Sequence, residues 1–123
     1  MEITRETELV TFFHLDARNF DFEKEHGAPD TSINVQTQIL RVDREQNFTE
    51  VKVTLHAIIV LTDYTVSANL SQVSRINERA FEQKDEMTGE ELQELAEPVI
   101  VLLQRLTYEA TESTFGEGIQ LIL

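Results

Sequence analysis

Three imidazoles, His14, His26 and His56, are the side chains best suited to bind a transition metal or to pass protons near neutral pH, and no cysteine is present to join them. None has a second histidine at the i+4 spacing that puts two ligands on one helix face, so they read as surface or edge-strand histidines and no metal site is expected. Asp21-Phe-Glu-Lys-Glu-His-Gly27 has the oxygen-rich look of a calcium loop. Its glycine comes one place late, however, and Ser32 stands where the twelfth-position glutamate belongs. Glu90 and Glu94 lie at helical spacing, which suits a solvated helix face better than general acid/base work. Gly116-Glu-Gly118 follows a helical pattern where a phosphate-cradling loop would precede one, and neither a P-loop nor a G-x-S-x-G elbow occurs. The chain therefore reads as a non-enzyme without a cofactor.

The elements that carry these residues fit one domain spanning residues 1–123, long enough to bury a core without staples. With 41% hydrophobic and 27% charged residues the chain is globular in composition, and no apolar run approaches the length of a membrane span. The N-terminus lacks the basic and apolar regions of a signal peptide, so a cytoplasmic protein without membrane insertion is expected. A net charge of −13 repels a phosphate backbone, which argues against nucleic acid or anionic lipid as partner.

Glu8–Asp16 reads as a strand apolar on both sides, with Leu9, Phe13 and Leu15 on one face and Val10, Phe12 and His14 on the other. The alternation of Phe20 and Phe22 extends it through Arg18–Glu23, before a loop marked by Gly27 and Pro29. Ser32–Val42 and Phe48–Thr62 alternate in register. With Val42 facing Phe48, antiparallel pairing sets Ile39 opposite Val51, Val35 opposite Leu55 and Ile33 opposite Ala57. A two-residue turn at Asp63-Tyr64 then sets Ile59 opposite Ala68 and Ala57 opposite Leu70 along a strand to Val73. Ile58 and Val60 fall on the opposite, otherwise polar face and hint at an interface.

An acidic connection leads to Thr88-Gly-Glu-Glu91, whose capping-box spacing starts a helix. Pro98 predicts a break between a short helix, Gly89–Ala96, and a second one that ends at Gly116. Val99, Leu102, Leu103, Leu106 and Ala110 form the stripe that covers the sheet. Ile100 with Thr107, and Val101 with Tyr108, lie round the cylinder from it. This surplus of apolar surface predicts helix-to-helix contact with another subunit, and Ile119, Leu121 and Leu123 predict a short extended tail.

R-N-F-D-F-E with the following Ala28-Pro29 loop, the S-I-N-V-Q-T strand, Pro98 on the main helix, Gly116 and I-Q-L-I-L resemble, in this order, the SecB-like fold family. The SecB chaperones carry similar K-D-I-S-F-E, x-P-N-I-L-F-P-Y and G-x-F-P-Q-L-N-L segments. A closer resemblance, at M-E-I-x-R-E and R-L-T-Y-E-x-T-E, is to small uncharacterised cytosolic proteins of Gram-positive bacteria grouped with SecB by fold. The resemblance implies an α+β, two-layer fold: a four-stranded antiparallel sheet of order 1-4-3-2 backed by the long C-terminal helix.

It also implies a homo-oligomer, a dimer or dimer of dimers, joined through first strands (Leu9, Phe12, Phe13) and through the helix (Ile100, Val101, Tyr108). Extended or unfolded polypeptide would lie against the crossover loop (Ala28, Pro29, Ile33) and the tail (Ile119, Leu121, Leu123). Glu23 matches one of the sheet-face acids by which SecB docks the export motor SecA. Asn19 stands where another acid is found, and the fourth strand offers none. SecB continues into a second long helix that walls its groove, whereas this sequence stops at Leu123, so a shallower groove is expected. Two functions follow as expectations: a chaperone-like binder of non-native polypeptide, or an oligomeric scaffold or regulator that keeps the fold without client binding.

Overall fold

Alternation along the two longest strands builds the molecule, and the computed structural model describes it over residues 1–123. The strands are β1 (Ile3–Arg5), β2 (Leu9–Ala17), β3 (Ser32–Asp43), β4 (Phe48–Val60) and β5 (Tyr64–Asn77). Two α-helices, α1 (Phe20–His26) and α2 (Gly89–Phe115), and a single 3-10 turn at Lys84–Glu86 complete the fold. β3 pairs with β4, β4 with β5, and β5 with both β1 and β2, all antiparallel. The expected order of four strands holds, and β1 is an addition that continues the β2 edge along the far end of β5.

Val51, Val53, Leu55, Ala57 and Ile59 of β4 and Val66, Ala68 and Leu70 of β5 share one face and are buried under Leu95, Ala96, Val99, Leu102 and Leu103 of α2. The β3–β4 register is the expected one from Ile33↔Ala57 to Ile39↔Val51. Beyond Ile39 a bulge shifts the pairing by one residue, so Val42 faces Thr49 and Asp43 takes the place opposite Phe48. The β4–β5 register differs from expectation by two residues. Ile59 pairs with Val66 and Ala57 with Ala68, because the turn is centred one residue earlier, at Thr62-Asp63, with the Leu61 amide donating to the Tyr64 carbonyl. A slip of two keeps every side chain on its face, so the core is unchanged. In β2 a second bulge between Val10 and Phe12 moves Leu9 to the face of Phe12 and leaves Val10 on the face of Phe13 and Leu15, reversing the assignment of those two residues.

Two further expectations fail, each for a local reason. Residues 20–26 are helical because the Asn19 carboxamide accepts a hydrogen bond from the Phe22 amide (3.1 Å), which caps the turn, and Phe22 stacks on His26 one turn later (4.2 Å between centroids). Helix α2 runs unbroken through Pro98. A proline has no N–H for the carbonyl four residues earlier. Arg5 supplies it: its guanidinium donates to the Glu94 carbonyl (2.9 Å) and to that of Leu95 (3.1 Å), while Gln72 accepts from Arg5 and donates to the Glu6 carbonyl (2.8 Å). Leu95, Val99 and Leu102, on both sides of the proline, bury against the same core, which holds the two halves in one stripe.

The predicted Thr88–Glu91 capping box forms, and Gly116 closes the helix in the left-handed conformation (φ 77°). Thr107 and Thr111 are fully buried, so the core-facing stripe turns farther round the cylinder than Val99–Ala110 alone indicated, and Thr107 belongs to it.

Candidate functional site

The most distinctive surface lies along one flank of α2, where the segment after Gly116 runs back antiparallel to the helix. The Ile119 amide donates to Thr111 Oγ1 (2.8 Å), and Gln104 Nε2 donates to the Leu121 carbonyl (3.2 Å). Ile119 and Leu121 are half-buried, Leu121 against the core, while Ile122 is 96% exposed. Leu123 reaches a 510 Å³ depression lined by Glu90, Glu94, Glu97, Ile100 and Gln104. The predicted extended tail therefore exists, with two of its three apolar residues turned to the protein.

Ala28 and Pro29 lie elsewhere. With Phe22, His26, Asp16 and Thr65 they line a 450 Å³ depression, and Asp16 and Thr65 pair on the sheet face turned away from α2. The crossover loop and the tail thus sit on opposite sides of the sheet within one protomer. Ile33 is on the α2 side, and Val35 shares its face; both are 39% exposed on an edge strand that the helix does not reach.

Glu23 is half-buried and engaged within the chain. Both of its oxygens accept from Arg18 (2.6 and 3.2 Å), whose other nitrogen donates to the Leu61 and Thr62 carbonyls, tying α1 to the end of β4. The hydrogen bond from Arg18 lowers the Glu23 carboxyl below the usual carboxylate range. Arg41, then Arg75, do the same for Glu50, and the Thr88 amide, then Arg79, for Glu91.

A carboxyl depressed in the folded state adds stability that is complete above its unfolded pKa and is lost as pH falls through its folded pKa. The urea midpoint should accordingly hold at pH 6–7 and drop below about pH 4.5, and Glu23→Gln should flatten that drop. An acid limb that is the same for wild type and Glu23→Gln would remove the Arg18–Glu23 pair from this account.

The expected oligomer contacts occupy two separate surfaces. Leu9 is 59% exposed on β2, a strand bonded on one side only, while Phe12 is half-buried beside His14 and His56 (ring centroids 5.3 and 6.1 Å). Phe13 turns inward to the core. On α2, Val101 and Tyr108 stand on the outer ridge, 48% and 41% exposed, whereas Ile100 leans inward against the core. No group of three or more His, Cys, Asp or Glu is placed to hold a metal ion, and no helix is long and apolar enough to cross a membrane.

Sequence reasoning missed Gln104, Thr111 and Gly118. The signal for Thr111 was a polar residue on the buried stripe of α2, which has to find partners there: it donates to the Thr107 carbonyl (2.7 Å) and accepts from the tail. Gly118 sits where a Cβ would meet the Tyr108 ring at 2.5 Å.

The family described as "Protein of unknown function (DUF1149)" matches residues 1–122. Among solved structures, a protein of unknown function from Streptococcus agalactiae is 34% identical, over 100% of this chain and 98% of that one, with a TM-score of 0.97. The Mycobacterium tuberculosis SecB-like chaperone Rv1957, in complex with a ChAD peptide from the Rv1956 HigA1 antitoxin, is 11% identical over 98% of this chain and 90% of that one, with a TM-score of 0.54. At that identity the likeness speaks for the fold, which is SecB-like. No curated protein matches the chain. With its whole length matched and a near-superimposable relative, the chain belongs to the DUF1149 family.

Proposed function

We propose that the protein is a cytosolic, homo-oligomeric binder of extended, non-native polypeptide, chaperone-like and without catalysis. One observation carries this reading: in a chain of net charge −13, exposed apolar side chains stand on two open sheet edges and one helix ridge, besides those on α1 (Phe20, Phe22) and in the tail (Ile122, Leu123). Leu9 and Val10 mark the β2 edge, Ile33 and Val35 the β3 edge, and Val101 and Tyr108 the ridge of α2. An open edge offers backbone donors and acceptors to an added strand, and alternate apolar residues beside it give that strand somewhere to bury. The SecB-like neighbour in complex with a peptide supports the same reading.

A scaffold role without clients is the second reading. It is favoured by the flank of α2 being covered by the chain's own tail.

Equilibrium binding separates the two. A reduced, alkylated and permanently unfolded protein, labelled with a fluorophore, should raise its anisotropy when titrated with the full chain and saturate at micromolar concentration. A native globular protein should not. No response up to about 100 μM, a free energy near −5.5 kcal/mol, would remove the polypeptide-binding reading in favour of the scaffold.

A further inference from the structure

The tail is a short polypeptide held in an extended conformation, and the way it is held is informative. Its two hydrogen bonds to side chains involve backbone atoms only, the Ile119 amide and the Leu121 carbonyl, which any sequence possesses. The groups that make them, Thr111 Oγ1 and Gln104 Nε2, lie two helical turns apart on one side of α2, a spacing that matches a short extended segment running alongside. Alternation does the rest. Ile119 and Leu121 face the protein, while Gln120 and Ile122 face solvent.

The tail is also lightly secured. No backbone ladder joins it to a strand, Ile122 and Leu123 are exposed, and Gly118 packs on a Tyr108 ring that is itself open to solvent. Segments with few buried contacts and few hydrogen bonds open at low free energy.

From this we infer that the flank of α2 between Thr111 and Gln104 is the seat for extended polypeptide with apolar residues at alternate positions, and that the chain's own Gly118–Leu123 segment fills it until a client displaces it. The inference rests on the polypeptide-binding reading above and deepens it. The seat reads backbone direction and a period of two, without demanding a sequence, and the tail sets how strongly a client must compete. A client that finds the seat open in only a fraction of molecules has its apparent affinity reduced by that fraction.

The test uses the full chain and, as probe, a fluorescein-labelled synthetic peptide of the tail sequence, G-E-G-I-Q-L-I-L, followed by anisotropy. Leu121→Asp puts a charge where Leu121 meets the core and releases the tail without touching Thr111 or Gln104. The peptide should bind this variant at least about fivefold more tightly than wild type, because the competing segment has left the seat. Gln104→Ala added to Leu121→Asp should weaken the peptide again, and a peptide with serine at the two inward positions should not compete. Unfolded, alkylated protein should compete with the peptide.

Should Leu121→Asp fail to fold, Ile119→Asp loosens the tail at its other inward-facing residue. Equal peptide affinity for wild type and the released variants, with unfolded protein still bound by both, would overturn the seat and leave polypeptide binding standing. Failure of every variant to bind either the peptide or the unfolded protein would overturn both.

Discussion

Replacing Arg5 with methionine is expected to destabilise the fold by about 2 kcal/mol, the scale of losing a hydrogen bond from a charged donor to a carbonyl that has no other partner in the helix. The carbonyl at issue is that of Glu94, which Pro98 cannot satisfy. A double-mutant cycle isolates this cause from ordinary loss of packing. Pro98→Ala restores an N–H for Glu94, so Arg5→Met should cost less in that background, by on the order of 1 kcal/mol. Equal costs with and without Pro98 would show that Arg5 acts through Gln72 and the β1–β5 edge instead. Urea midpoints of the four proteins decide it.

Val101→Asp combined with Tyr108→Asp should convert a homo-oligomer to a monomer while leaving the thermal midpoint of the protomer nearly unchanged. Both residues are on the exposed ridge of α2 and neither belongs to the core. Removing an apolar interface anchor commonly costs about 2 kcal/mol or more of association, and a buried carboxylate adds to that, so the self-association constant should fall by at least about a hundredfold. Sedimentation velocity at micromolar concentration reads the change against the 14.2 kDa protomer. Wild type sedimenting as a monomer, or an oligomer untouched by the double substitution, would move the interface away from this ridge; the exposed β2 edge at Leu9 would then be the surface to test.

Much of the fold was legible because strand faces follow a period of two, and burial on one face penalises any odd slip. Ile33, Val35, Ile39, Val51 and Leu55 fell into register from alternation alone. Even the misjudged turn at Asp63-Tyr64 cost nothing in the core, since an error of two residues leaves every side chain on its proper face. The bulges after Ile39 and Val10 were not legible, because each inserts one residue without a glycine or proline to announce it.

Helix α1 was misread for the opposite reason: Phe20 and Phe22 imitate a strand. The competing signals, Asn19 as cap, Asp21 and Glu23 in the first turn, Lys24 and His26 in the last and Gly27 as stop, were all present in the sequence and prevail in the structure. Pro98 misled because its effect depends on a residue far away in sequence, and nothing local reveals that Arg5 will reach Glu94.

The candidate site was legible in its residue types and hidden in its geometry. Ile119 and Leu121 alternate in the sequence, but a five-residue apolar segment does not say which surface it will lie on. Only Thr111 and Gln104, polar residues on the helix flank, reveal that it folds back on α2. Ala28 and Pro29, which the SecB-like resemblance groups with the tail, lie across the sheet from it.

Binding of non-native polypeptide is the central claim, and its most direct measurement is light scattering from a chemically denatured client diluted into buffer with the full chain at several-fold molar excess. Scattering should fall to a small fraction of the client-alone value, and Leu121→Asp should achieve this at a lower ratio than wild type. Aggregation with the same rate and amplitude in the presence and absence of the protein would contradict it.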